Sequence, residues 1–115
     1  MVASATYVPD RGDVVWLDFN PQAGREQAGR RPALVLSPAS YNVKSSMMLT
    51  CPITNQVKGY PFEVPVVSGA NNVSGVVLAD QVRSLDWSQR NAVKLAYVTT
   101  QCLQDVSMKI KALLP

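Results

Sequence analysis

Short apolar runs separated by turn residues dominate this chain, and that pattern is typical of a sheet of short strands. The segments GDVVWLDFNP (12–21), RPALVLSP (31–38) and SMMLTCPIT (46–54) each contain an apolar or alternating stretch of strand length. The first two end at proline, and the third ends where polar residues follow Thr54. Three strands are therefore predicted in the first half of the chain.

The second half of the chain repeats this pattern with two further strands. FEVPVV (62–67) predicts a fourth strand, and Pro65 within it indicates a sheet edge because proline cannot donate to a ladder. SGVVLADQVRSLD (74–86) predicts a fifth strand that bends near Asp80.

The C-terminal part changes from strand to helix periodicity. AVKLAYV (92–98) fits either a sixth strand or a short helix, and the pattern leaves both open. Thr99 or Thr100 is a suitable N-cap for an amphipathic helix. Its apolar stripe recurs every three or four residues, at Leu103, Val106, Ile110 and Leu113. The expected fold is mainly β: a small SH3-like β-barrel or curved antiparallel sheet, with short helices and a C-terminal amphipathic helix.

Length and composition indicate one folded domain over residues 1–115. Hydrophobic residues make up 47% of the chain and charged residues 17%, which is enough apolar material for a core. The apolar runs are too short for a membrane helix, and the N-terminus lacks the pattern of a signal peptide. We expect a cytoplasmic protein, in which Cys51 and Cys102 are core residues and not a disulfide or a metal site.

The chain contains no histidine. This excludes Ser-His-Asp and Cys-His nucleophilic systems, HExxH zinc sites and histidine acid/base pairs. No cofactor or metal is indicated. The net charge of +3 favours a polyanionic partner, and an acidic protein satisfies it as well as RNA does.

The connection between the first two strands is long for a hairpin and carries the main candidate residues. It runs NPQAGREQAGR (20–30), whereas most hairpin loops have two to five residues. Arg31 precedes Pro32, which favours an extended backbone, so its guanidinium should be well aimed for binding a phosphate. Glu26 can pair with it or accept a proton. A solvated charged loop explains the same residues without a function.

A second polar segment follows the third strand. Thr54 ends that strand, and it could meet Arg31 at one anion if the two strand ends are neighbours. Loop cations and aromatic rings are the mixture that single-stranded nucleic acid favours. The candidate RNA-binding residues are Arg25, Arg30, Tyr41, Asn42, Gln56, Lys58 and Tyr60.

Three ordered blocks of this sequence resemble the MazF/PemK toxins of bacterial toxin–antitoxin systems, and the MazF branch most of all. They are YVPDRGDVVWLDFNPQAGREQAGRRPALVLSP (7–38), CPITNQVKGYPFEV (51–64) and GVVLADQVRSLD (75–86). The family's E-Q-x-G-x-R-P motif places its arginine at Arg31 and its glutamate at Glu26, and its key threonine falls at Thr54. Some members have histidine where this chain has Arg30.

The resemblance implies an SH3-like fold, a homodimer and metal-independent, sequence-specific cleavage of single-stranded RNA. The products would be a 2′,3′-cyclic phosphate and a 5′-hydroxyl. An acidic antitoxin of the MazE type would be the protein partner. Arg31, Thr54 and Glu26 would form the catalytic group. Two alternatives stay open at this point: a non-catalytic SH3-like module that binds nucleic acid, and a module that binds only an acidic antitoxin.

Overall fold

The structure is a computed structural model that describes residues 7–19, 29–69 and 71–115. Its main element is a curved antiparallel sheet. In this part of the chain the strands are β1 (Asp13–Asp18), β2 (Arg30–Val35), β3 (Met47–Thr54), β4 (Glu63–Pro65), β5 (Val76–Leu78), β6 (Arg83–Asp86) and β7 (Val93–Tyr97). The helices are α1 (Ala39–Ser45), α2 (Thr100–Lys111) and a single 3-10 turn at Trp87–Gln89. The expectation of a mainly β fold is confirmed.

The sheet curls towards a barrel. Its strand order is β4-β5-β3-β2-β1-β7, and β6 also pairs with β3. A single bridge between Ser68 and Val98 brings the segment after β4 beside the end of β7. No ladder joins β4 to β7 within the described ranges, so the sheet is strongly curved without closing. As Pro65 indicated, β4 lies at an edge.

The segment 74–86 forms two strands and not the single bent strand expected. β5 pairs with the end of β3, where Ile53 lies opposite Val77, and β6 pairs with its start, where Thr50 lies opposite Arg83. Between these two pairs β3 advances by three residues, from Thr50 to Ile53, whereas the chain that pairs with it advances by six, from Val77 to Arg83. The extra residues loop out around Asp80, which is exposed.

The remaining C-terminal expectations are resolved by the structure. Residues 93–97 form a strand, which decides between the two possibilities for that segment. Thr99 is the N-cap of α2, because its hydroxyl accepts the backbone N–H of Cys102 at 3.2 Å. The helix ends at Lys111, so Leu113 lies beyond it and is exposed, and its inclusion in the apolar stripe was wrong.

The core lies on both faces of the sheet. Along β1, Val14 packs on the face covered by α2, whereas Val15 and Leu17 pack on the other face. Strands that are buried on both sides read as continuous apolar runs, which explains the VVWL and ALVL segments. Both cysteines are buried and free, as expected.

Candidate active site

The register of the sheet sets Arg31 and Thr54 at the same end of neighbouring strands. In the β2–β3 ladder Ala33 lies opposite Pro52 and Leu34 opposite Cys51. The same register, carried two residues past the last pair, matches Arg31 with Thr54. Because side chains alternate along a strand, Arg31 shares the face of Ala33, and Thr54 shares the face of Pro52. Both side chains thus project from the same face at the same end of neighbouring strands.

The backbone of Arg31 is fixed by β1 on its other side. Arg31 is paired with Leu17 and Pro32 with Trp16 in the β1–β2 ladder. The guanidinium is therefore carried by a strand between two neighbours, and its stem is half-buried. This agrees with the expectation, drawn from Arg31-Pro32, that the side chain leaves from an extended backbone.

The hydroxyl oxygen of Thr54 is held by the chain that follows β3. The side chain is buried, and Oγ1 accepts the backbone N–H of Gln56 at 3.1 Å. Within the described residues this is the only side-chain hydrogen bond of Thr54, and it occupies an acceptor position. The hydroxyl can then donate to an anion that binds next to it.

Gly75 supports Thr54 from behind. Its φ of +115° lies in a region that favours glycine. A Cβ at this position would come within 2.5 Å of the carbonyl oxygen of Thr54 and 3.0 Å of Oδ1 of Asn55. Ser74 donates from its hydroxyl to the same Oδ1 at 2.9 Å. The end of β3 is therefore packed closely against the start of the segment that leads into β5.

A cleft of about 540 Å³ opens beside Thr54. Most of its lining residues have polar side chains, and they come from the end of β3, the loop after it, β4, β5 and the outward loop before β6: Thr54, Gln56, Lys58, Tyr60, Glu63, Leu78, Asp80 and Gln81. The Nζ atom of Lys58 lies 6.0 Å from the ring centroid of Tyr60. A cation and an exposed ring are thus presented together, which suits contact with a nucleic acid.

Four residues of this cleft are not among the candidate residues predicted from the sequence: Glu63, Leu78, Asp80 and Gln81. Asp80 was interpreted only as the position of a bend, and Gln81 was not singled out. The available signal was a polar Asp-Gln pair that interrupts an apolar run just where the chain must leave the sheet. Because the two registers on β3 differ, this pair loops outward beside Thr54 and does not continue the strand.

The base of the loop expected to carry Glu26 is well defined, although Glu26 and Arg25 lie outside the described residues. The backbone N–H of Phe19 donates to the carbonyl of Gly29 at 2.9 Å. Arg83 donates from Nη1 to the carbonyl of Phe19 at 3.2 Å, and its guanidinium lies 5.6 Å from the centroid of the Phe19 ring. The two ends of the loop are therefore joined directly before β2 begins.

The cysteine near the site is not a nucleophile. Burial, reinforced by the carboxylate of Asp80, raises the pKa of Cys51 to about 12, so the thiol stays protonated at neutral pH. Burial also raises the pKa of Cys102. Among the described residues, no group of three or more His, Cys, Asp or Glu side chains is placed to hold a metal ion.

Comparison with known proteins agrees with this geometry. The family model described as PemK-like, MazF-like toxin of type II toxin-antitoxin systems matches residues 10–114. The chain belongs to this toxin family. It is 54% identical over 108 residues to the endoribonuclease toxin MazF of Escherichia coli K12, and the match covers 94% of this chain and 96% of that toxin.

Solved members of the PemK/MazF-like family share the fold. A crystal structure of MazF from Deinococcus radiodurans superposes with a TM-score of 0.89 at 56% identity, and covers 95% of this chain and 98% of the other. A MazE–MazF complex from the same organism gives a TM-score of 0.81 at 50% identity, with 95% and 97% covered. The family suggested by the three sequence blocks is confirmed.

Three of the candidate RNA-binding residues lie away from the cleft of this family member. Arg30 faces the opposite side of β2 from Arg31, where it pairs with Asp18 at 3.3 Å and donates to the carbonyl of Asn91 at 2.7 Å. Tyr41 and Asn42 lie in α1, which directly precedes the start of β3. Thr54 is at the other end of β3, about 25 Å from its start.

Asn42 also has a clear structural role. Its side chain is fully buried, donates to the carbonyls of Pro9 and Ser37 at 2.7 and 3.0 Å, and accepts the Ser37 hydroxyl at 2.6 Å. This network joins the N-terminal segment to α1. We therefore leave Asn42 out of the RNA surface proposed below. Tyr41 is exposed, but nothing in α1 directs it towards Thr54.

Proposed function

We propose that this protein is an endoribonuclease toxin of a type II toxin–antitoxin system, and that it cleaves single-stranded RNA beside Arg31 and Thr54 without a metal. The observation that carries the proposal is the β2–β3 register, which supports a shared face for the two side chains when it is extended two residues past the pair of Ala33 and Pro52. Membership of the PemK/MazF-like family and the polar cleft next to Thr54 support it.

RNA supplies the nucleophile in this mechanism. The 2′-hydroxyl oxygen attacks the adjacent phosphorus, the bond from phosphorus to the 5′-oxygen breaks, and the products are a 2′,3′-cyclic phosphate and a 5′-hydroxyl. Intramolecular attack already has a high effective molarity. The protein must align the sugar and the phosphate, remove the 2′-hydroxyl proton, stabilise the added negative charge and allow a proton to reach the 5′-oxygen.

Arg31 and Thr54 are suited to stabilising charge. A guanidinium carries a positive charge and offers several donors in a plane, so Arg31 binds the non-bridging oxygens as their charge increases. The Thr54 hydroxyl donates a further hydrogen bond, since the contact from Gln56 leaves its proton available. Glu26, in the segment of the sequence between β1 and β2, is the proposed general base for the 2′-hydroxyl.

The RNA on either side of the scissile phosphate contacts the cleft through Gln56, Lys58 and Tyr60, together with Arg25 from the loop. An exposed ring beside a cation provides stacking and charge that tolerate different bases. Tyr60 is 59% exposed, which leaves most of its ring available. Asp80 and Gln81 add hydrogen-bonding groups that can read base edges.

We further propose that the protein works in the cytoplasm as a single-domain homodimer and that an acidic antitoxin of the MazE type inhibits it. The solved MazE–MazF complex of a 50% identical chain supports an antitoxin partner. An acidic segment that is disordered alone can fold across the Arg31 surface and exclude RNA. No helix among the described residues is long and apolar enough to span a membrane.

The test is incubation of purified protein with a long, unstructured RNA in EDTA, followed by mapping of both product ends. We expect discrete cuts at one short motif, with 5′-hydroxyl and 2′,3′-cyclic phosphate ends. The Arg31→Ala variant serves as the control for a contaminating nuclease and should leave the RNA uncut under the same conditions. Intact RNA with folded wild-type protein would contradict the proposal and favour a module that only binds.

A further inference from the structure

Glu63 has an unusual position for a carboxylate in a cleft that is proposed to bind a polyanion. It lines the cleft with Thr54, yet a negative charge there repels the phosphates of RNA. No lysine or arginine side chain in the described part of the protein forms an ion pair with it. The presence of a carboxylate in this cleft is therefore not explained by the neutralisation of a neighbouring positive charge.

Among the described residues, the hydrogen bonds of its carboxylate are all with the loop between β3 and β4. Oε1 accepts the backbone N–H of Gly59 at 2.9 Å, and Oε2 accepts that of Lys58 at 3.0 Å, with Oε1 also 3.3 Å from the latter. The backbone N–H of Glu63 in turn donates to the carbonyl of Tyr60 at 3.1 Å. Two successive amides thus converge on one carboxylate, and hydrogen bonds to a charged acceptor are stronger than neutral ones.

Gly59 permits this arrangement. Its φ of +79° turns the chain so that successive N–H groups point the same way, and only glycine adopts such a conformation readily. The turn has the further effect of bringing Lys58 and Tyr60 to the same side, where Nζ lies 6.0 Å from the ring centroid. The relative position of the Lys58 ammonium and the Tyr60 ring therefore depends on the turn that the Glu63 carboxylate holds.

We propose that Glu63 is a positioning residue for RNA binding: its carboxylate fixes the turn 58–60 in the shape that presents Lys58 and Tyr60 to the substrate. The inference rests on the proposed function. Loss of the carboxylate should free the turn, so that binding RNA must also order it, and RNA binding should weaken more than the chemical step slows.

The first experiment measures the turn itself and needs no RNA. Trypsin cuts after Lys58 only when the turn can open, so the rate of that cut in the native protein reports its order. We expect Glu63→Ala to be cut at least about tenfold faster than wild type, because it loses the contacts to a charged acceptor. Glu63→Gln retains one oxygen acceptor but loses the charge and the second oxygen, so its rate should fall between those of wild type and Glu63→Ala. Asp105→Ala, on α2, is the control that changes net charge equally.

The second experiment measures cleavage of a short fluorogenic RNA with one cut site. For Glu63→Ala we expect KM to rise at least about fivefold while kcat changes by less than about twofold. Glu63→Gln should give a KM between those of wild type and Glu63→Ala, and Asp105→Ala should leave both constants unchanged. A loss confined to kcat, or a KM for Glu63→Gln as high as that of Glu63→Ala, would overturn the proposal.

The two experiments separate this inference from the proposed function. If wild-type protein does not cut RNA, the proposed function fails, and the trypsin result still decides whether Glu63 holds the turn. If wild-type protein cuts RNA while Glu63→Ala shows unchanged KM or unchanged trypsin sensitivity, the positioning role is refuted and the proposed function stands.

Discussion

Replacing Gly75 with alanine tests how closely the site depends on the position of Thr54. The new Cβ would stand 2.5 Å from the Thr54 carbonyl oxygen, whereas an ordinary contact begins at 3.4 Å. The end of β3 must therefore move by ~0.9 Å, and a displacement of about 1 Å can reduce an enzymatic rate by about 10²-fold. We expect the single-turnover rate of RNA cleavage to fall by about that factor.

The same substitution also costs stability. A non-glycine residue at φ +115° is strained by about 1–3 kcal/mol, so unfolding in urea should occur at a lower concentration. Gly12→Ala is the matched control, because Gly12 has a φ of +94° but its Cβ would meet only Leu103 Cδ2 at 3.8 Å. It should lose stability and keep its cleavage rate. A Gly75→Ala protein that is folded and cleaves within about threefold of wild type would refute the reasoning.

Three further outcomes are expected. Arg31→Ala should reduce the cleavage rate by at least about 10²-fold, which is the scale of losing one oxyanion donor. A loss of about tenfold or less, in a variant with an unchanged circular dichroism spectrum, would remove Arg31 from the catalytic group. Burial and the hydrogen bond that the Tyr7 hydroxyl donates to Asp13 raise the pKa of Tyr7. As pH rises, the unfolded chain therefore loses the Tyr7 proton before the folded chain does, and the free energy of unfolding falls above the usual tyrosine pKa of 10.0. In urea titrations between about pH 9 and 11, the free energy of unfolding of Tyr7→Phe should fall less steeply than that of wild type. Cys51, buried and with its pKa raised to about 12, should react with a thiol reagent only in denaturant, and rapid labelling of the native protein would contradict its burial.

The strands could be predicted because each is a short apolar run closed by a turn residue. β1, β2 and β3 differ from the expected segments only at their ends, where polar and proline residues stop the ladder. The division of 74–86 into β5 and β6 could not be predicted, since it arises from two registers on the same partner strand. Register is a property of the assembled sheet and is not encoded by the apolar pattern of one segment.

The candidate site was predictable to a similar degree. Arg31 and Thr54 were proposed from their motifs, whereas their shared face follows only from extending the β2–β3 register by two residues. Asn42 was misjudged because a polar residue in a short turn looks exposed, whereas it lies on the buried side of α1 and its amide donates to the carbonyls of Pro9 and Ser37. Glu63 and Asp80 were not predicted as site residues, because Glu63 lies in β4 and Asp80 comes shortly after β5. The contact of each residue with the cleft depends on how a neighbouring loop folds.

The central claim is that Arg31 and Thr54 act on the same phosphate, and a double-mutant cycle tests it most directly. Single-turnover cleavage rates would be measured for wild type, Arg31→Ala, Thr54→Val and the double variant. Residues that stabilise one transition state as a unit are non-additive, so the double variant should lose little more than Arg31→Ala alone. Losses that simply multiply would show that the two side chains act independently and would contradict the account.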